Sequence, residues 1–158
     1  MSACAHSGAH EHALDGSALD AVLDEAERRV SAGGERLTDT RRRVLRLLLE
    51  AGQPVKAYDL MADYDPDGAP AKPPTVYRAL DFLARQGLAH RIESLNAYVA
   101  CRDDDPTHAA AFLICDCCGS AEEARWDLSA QTAVAAQQHG YKLERLSVEA
   151  HGRCGACA

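Results

Sequence analysis

The strongest constraint on this chain is a repeated spacing. Cys115-Asp-Cys-Cys118 and Cys154-Gly-Ala-Cys157 are each a C-x2-C turn, with 35 residues between them. A C-x2-C turn aims two thiolates at one point. Two such turns complete the closed tetrahedral S4 set that structural zinc prefers. Scattered thiols or a redox C-x-x-C pair are the plainer readings of either half alone. The second turn sits close to the C-terminal end, where little else would fix it, and this favours a metal staple. The sequence therefore predicts a C-terminal third folded around zinc by Cys115, Cys118, Cys154 and Cys157.

Composition explains why a staple is useful. The chain has 158 residues, 47% of them hydrophobic, enough for a core. Divided into two small domains, each would be marginal. The net charge of -7 argues against indiscriminate nucleic-acid binding. The charge is uneven, however. Residues 26–46 hold seven arginines against Glu27, Glu35 and Asp39. Met1–Gly16 lacks the apolar run of a signal peptide, and no stretch is long enough to span a membrane. The expected compartment is the cytoplasm, where cysteines serve as metal ligands or free thiols rather than disulfides.

The order of the chain predicts an α+β protein in two domains. Residues 1–16, with Cys4, His6, His10 and His12, read as a disordered, solvated tail. A helical period starts at Ser17 (Leu19, Val22, Leu23, Ala26, Val30) and stops at Gly33-Gly34. A second helix follows a Thr38 N-cap, buries Val44, Leu47, Leu48 and Ala51, and ends at Gly52. Its outer face carries Arg41, Arg42, Arg43 and Arg46. A third helix covers 56–64. A fourth runs from Lys72-Pro-Pro to Gly87, with Val76, Leu80 and Leu83 inward and Thr75, Tyr77, Arg78 and Asp81 outward near its start. Two short strands, 88–93 and 97–101, follow. Three helices and a hairpin at this point make a winged helix-turn-helix over 17–101, whose last helix enters the major groove. A solvated face is the default reading of such an arginine run, but beside such a fold Arg41 and Arg42 are expected to touch phosphates. A polar hinge covers 102–107. Residues 108–158 form a small α/β unit stapled by zinc: strands at 110–115, 121–126 and 143–150, and a helix at 128–139.

His90, Cys101, His108 and Glu123 remain as candidates for a second metal site. A hairpin folding about Leu95 sets His90 opposite residues 99–101. One thiolate, two imidazoles and a carboxylate suit four-coordinate zinc better than iron or manganese. Taken singly, each also has a plainer reading: a histidine satisfied on a sheet, a small core cysteine, a solvated glutamate.

The sequence resembles the ferric uptake regulator family, above all its zinc-responsive members. The resemblance is carried by Arg36-Leu-Thr-x-x-Arg41, Ala57-Tyr-Asp-Leu60, Lys72-Pro-Pro-Thr-Val-Tyr-Arg-Ala-Leu-Asp-Phe-Leu83, Ala89-His-Arg-Ile-Glu-Ser94, Pro106-Thr-His108, Phe112-Leu-Ile-Cys-Asp-x-Cys-Gly119 and Glu149-Ala-His-Gly-x-Cys-x-x-Cys157. It implies a homodimeric winged-helix repressor that sits, zinc-loaded, on a near-palindromic operator and silences zinc-uptake genes. It implies neither an enzyme nor a small-molecule substrate. Family DNA contacts fall on Tyr58 and Arg78, with Thr75 and Tyr77 nearby. Regulatory ligands fall on His90, Cys101, His108 and Glu123, and structural ligands on the four cysteines, giving two zinc ions per chain.

Three departures stand out. Asp39 replaces the usual proline at the start of the second helix, where a carboxylate also serves the first turn. The histidine run that the family's iron and peroxide sensors place before the first C-x-x-C is absent, His108 standing alone before Ala109. Cys117 is an extra thiol inside the zinc turn, read as a spectator. Two other functions compete. Thiol redox chemistry would use Cys115, Cys117 and Cys118, in an enzyme or a sensor. A zinc buffer would leave the arginine-rich winged helix without a role.

Overall fold

The computed structural model describes residues 16–64, 71–101, 110–126, 128–144 and 146–158. The tail at 1–15, the hinge at 102–107 and His108 lie outside the described residues. The chain divides into two compact units, whose described parts are 16–101 and 110–158. Among the described residues no helix is long and apolar enough to cross a membrane.

In the first unit, α1 (Gly16–Ala32), α2 (Asp39–Ala51), α3 (Ala57–Ala62) and α4 (Pro73–Arg85) precede β1 (Ala89–Ile92) and β2 (Ala97–Ala100). The helical periods bury most of the positions their spacing marks, though Val22 of α1 is exposed and Ala51 of α2 is half-buried. Leu23, Val44, Leu48, Val76, Leu80 and Leu83 are completely buried, each contributing about 1.5–3 kcal/mol of burial. Thr38 occupies the N-cap of α2 in extended conformation, but its side chain makes no capping bond there. The helix closes at Gly52, whose φ of 60° is the left-handed conformation glycine adopts without cost. The wing pairs antiparallel, Ala89 with Ala100 and Ile92 with Ala97. Val55 exchanges two backbone hydrogen bonds of 2.8 Å with Tyr98, tying the α2–α3 connection to the wing.

The second unit has β3 (Ala110–Cys115), β4 (Ala121–Ala124), α5 (Ser129–Gln138) and β5 (Ser147–Gly152), in sheet order β4-β3-β5. β4 is antiparallel to β3 and β5 is parallel to it. The last strand lies further along the chain than the expected 143–150. Its register is set by the non-local partner β3, not by the alternation of Leu143–Ala150. Among the described residues this unit buries only Ala110, Ala111, Phe112, Ile114 and Cys115, all on β3. No described side chain of α5 is buried, and Leu113, Val134, Tyr141 and Leu143 are exposed. So thin a core fits a unit that relies on a staple and on a partner surface.

Candidate metal centre and nucleic-acid interface

Strand register builds the cysteine cluster. β3 leads into the first C-x2-C turn and β5 towards the second. Their parallel pairing sets Cys115 beside Gly152, so both segments leave the sheet at the same end. The sulfurs of Cys115, Cys118, Cys154 and Cys157 all lie within 4.8 Å of one another, and those of Cys118 and Cys154 are 3.9 Å apart. A tetrahedron with Zn–S bonds of about 2.3 Å has S···S edges of about 3.8 Å, so the donor set fits zinc.

Backbone bonds hold the turns. The Asp116 N–H donates to Gly152 O at 2.8 Å and the Gly119 N–H to Cys115 O at 2.9 Å. The Cys154 N–H donates to Cys115 Sγ at 3.4 Å. Backbone N–H groups of Cys118 and Cys154 lower the Cys115 thiol to about 6. Desolvation and the neighbouring sulfurs push Cys157 up to about 12. Thiols this close resist ionising together unless a cation offsets their charge. Cys117 is not a member of the cluster. A thioredoxin-like C-x-x-C opens a helix, whereas this turn passes through Gly119 into strand β4.

A side-chain clip stands beside the cluster. His151 Nδ1 lies 2.9 Å from an oxygen of Asp116, and Glu149 lies 3.9 Å from the other ring nitrogen. Only the β3–β5 pairing brings positions 116 and 151 together, so spacing alone held no signal for it.

On the wing, His90 pairs with Val99. Cys101, two residues beyond, shares the Val99 face and is the diagonal neighbour of His90, within side-chain reach. A ring nitrogen of His90 and Cys101 Sγ lie within 4.8 Å. The Cys101 N–H donates to Leu88 O at 3.0 Å, extending the ladder. Glu123, half-buried, sits on β4 opposite Phe112 in the other unit.

The first unit presents α4, the helix expected to read DNA, on its surface. Pro73 and Pro74 open it, and Val76, Ala79, Leu80 and Leu83 anchor it. Arg78 and Tyr77 are exposed on its first half and Thr75 is half-buried. On α3, Tyr58 is 79% exposed, a large ring with almost no packing inside its own chain.

The α2 arginines differ from the solvated face expected of them. All four are half-buried and engaged. The Arg41 guanidinium lies 3.4 Å above the centre of the Phe82 ring and donates to Arg36 O at 2.5 Å. Arg42 donates to Asp24 at 2.7 Å and Glu27 at 2.9 Å, and the Asp24 bond raises its pKa. Arg43 donates to the carbonyls of Asp63 and Tyr64 at the end of α3. Arg46 pairs with Asp20. For Arg42 and Arg46 the physical reason is a row of acids on α1, and for Arg41 and Arg43 it is the Phe82 ring and backbone carbonyls; no period within α2 reveals either.

Residues 32–151 match the profile of the Ferric uptake regulator family. The chain is 43% identical over 138 residues to the Zinc uptake regulation protein of Escherichia coli (strain K12), covering 86% of this chain and 81% of that one. Its fold is similar to that of a zinc uptake regulator complexed with zinc and DNA: TM-score 0.81, 41% identity, 87% of this chain and 93% of that one. The crystal structure of holo XcZur is also similar, with TM-score 0.76 and 43% identity over 86% of this chain and 96% of the other. With this agreement in sequence and fold across most of its length, the chain belongs to the ferric uptake regulator family.

Proposed function

We propose that this protein is a zinc-responsive transcriptional repressor: a zinc-loaded homodimer that binds double-stranded operator DNA in the cytoplasm and represses zinc-uptake genes. One observation carries the reading. A zinc uptake regulator complexed with zinc and DNA matches 87% of this chain at 41% identity. The reading assigns no catalytic residue and no small-molecule substrate. Exposed Leu113, Val134, Tyr141 and Leu143, in a unit with few buried side chains among its described residues, support its self-association.

Two zinc ions per chain are part of the proposal. Cys115, Cys118, Cys154 and Cys157 would hold the structural ion. His90, Cys101, His108 and Glu123 would hold the regulatory one, a donor set suited to four-coordinate zinc. When bound, the ion supplies charge that keeps its thiolates ionised and a rigid link among its ligands. The donors come from both sides of the 102–107 hinge. Engaging all of them would restrain that hinge and hold the two α4 helices of a dimer at the spacing of successive half-sites. Releasing them would add an entropy cost to DNA binding.

The proposed DNA contacts are Tyr58, Thr75, Tyr77 and Arg78. Arg41 and Arg42, expected beside them, have partners inside the chain, and the proposed interface does not draw on them. Arg78, on the first half of α4, has the reach to fork onto guanine O6 and N7. Arg78→Ala should therefore cost about 1–3 kcal/mol on the cognate operator and relax preference at one base pair, with zinc content unchanged. Fluorescence anisotropy on operator variants tests this. Equal affinity of wild type and mutant for every variant would remove Arg78 from the interface.

A further inference from the structure

The acids on α1 and the arginines on α2 follow a matched pattern. Asp20, Asp24 and Glu27 stand at i, i+4 and i+7, one stripe of α1. Arg42 and Arg46 stand at i and i+4 on α2. The stripes run against each other: Arg46 meets Asp20, while Arg42 meets Asp24 at 2.7 Å and Glu27 at 2.9 Å. Glu50, one turn along α2, lies 3.8 Å from Arg46. The helices also cancel in charge. α2 carries four arginines against Asp39 and Glu50, and α1 carries Asp20, Asp24, Glu25 and Glu27 against Arg28 and Arg29, so the pair is neutral.

These pairs are not what holds α1 in place. Exposed ion pairs are worth roughly 0–1 kcal/mol each, and the Asp20 and Asp24 side chains are 60% and 64% exposed. Burial of Leu19, Leu23, Ala26 and Val30 anchors the helix. What the acids change is the field. An uncovered arginine row beside a recognition helix would attract any duplex, because phosphate contacts carry no sequence information.

We propose that the Asp20–Asp24–Glu27 stripe of α1 is an electrostatic shield that withholds Arg42 and Arg46 from DNA phosphates and so sets the ratio of specific to non-specific DNA binding. The inference rests on the DNA-binding reading. In this arrangement α1 is a specificity element that touches no base. The exposed side chains of α3 and α4 supply sequence readout, and the sequence-independent term stays low.

The test uses the full-length, zinc-loaded protein with two duplexes, the operator and a random sequence, over about 0.05–0.2 M salt. Asp20→Asn/Asp24→Asn/Glu27→Gln should raise affinity for the random duplex roughly tenfold and steepen its log–log salt slope by about one to two. The operator-to-random ratio should shrink. Arg42→Gln/Arg46→Gln should leave operator affinity and its salt slope within about twofold, as expected of residues that release no counterions. If the triple variant melts, Asp20→Asn alone should show a smaller rise on the random duplex. An unchanged random-duplex slope in the acid variants, or a flattened operator slope in the arginine variant, overturns the shield. Failure of wild type to prefer the operator with zinc would instead overturn the repressor reading.

Discussion

Cys118→Ser should cost the protein its second unit. Among the described residues, the few buried side chains there all lie on β3, and the two C-x2-C turns clasp the open end of the β3–β5 pair. In zinc-finger peptides a structural zinc contributes about 10–16 kcal/mol of folding free energy, far more than so small a core supplies. A neutral serine hydroxyl is a poor replacement for a thiolate. We expect a protein that aggregates or sediments as a monomer and holds at most a trace of zinc. Helical circular dichroism from α1 to α4 should persist, because Leu23, Leu48 and Leu80 belong to a separate core. A Cys118→Ser protein that remains a dimer with full zinc content would show that the cluster is not structural.

Cys101→Ser should behave differently. It removes a soft ligand from the wing, beside His90, and leaves the four-cysteine cluster intact. The wing should survive, since the ladder bond at position 101 is made by the backbone N–H. The dimer should persist and still carry one zinc per chain. Operator binding should be abolished, or should appear only at far higher free zinc. Sedimentation, zinc analysis and anisotropy on the same sample decide the matter. If Cys101→Ser falls apart while Cys118→Ser stays a zinc-responsive dimer, the two sites have exchanged roles.

Most of the first unit was legible because burial there repeats with the helical period. Leu19, Leu23, Ala26 and Val30 mark α1 without help from the rest of the chain, and Pro73 and Gly52 mark helix ends by backbone chemistry alone. The cysteine cluster was legible because C-x2-C is a local geometry and only its doubling needs the fold. What escaped depends on partners distant in sequence. β5 takes its limits from β3, so its own alternation misplaced it. Val55 makes a single bridge to Tyr98, too short to leave a pattern. Arg42 and Arg46 looked solvated because their acids lie 15 to 26 residues earlier. The His151–Asp116 clip was hidden for the same reason, 35 residues apart.

The central claim is that zinc controls DNA binding through a site separate from the structural one. Its most direct measurement is operator affinity of the full-length wild type across a buffered free-zinc series, with bound zinc counted at each point. The account predicts a folded dimer with one zinc per chain and weak, sequence-indifferent binding at low free zinc. Tight, operator-specific binding should rise in step with the second equivalent. Operator affinity that stays constant while the second equivalent binds, or that is absent at every zinc level, would contradict it.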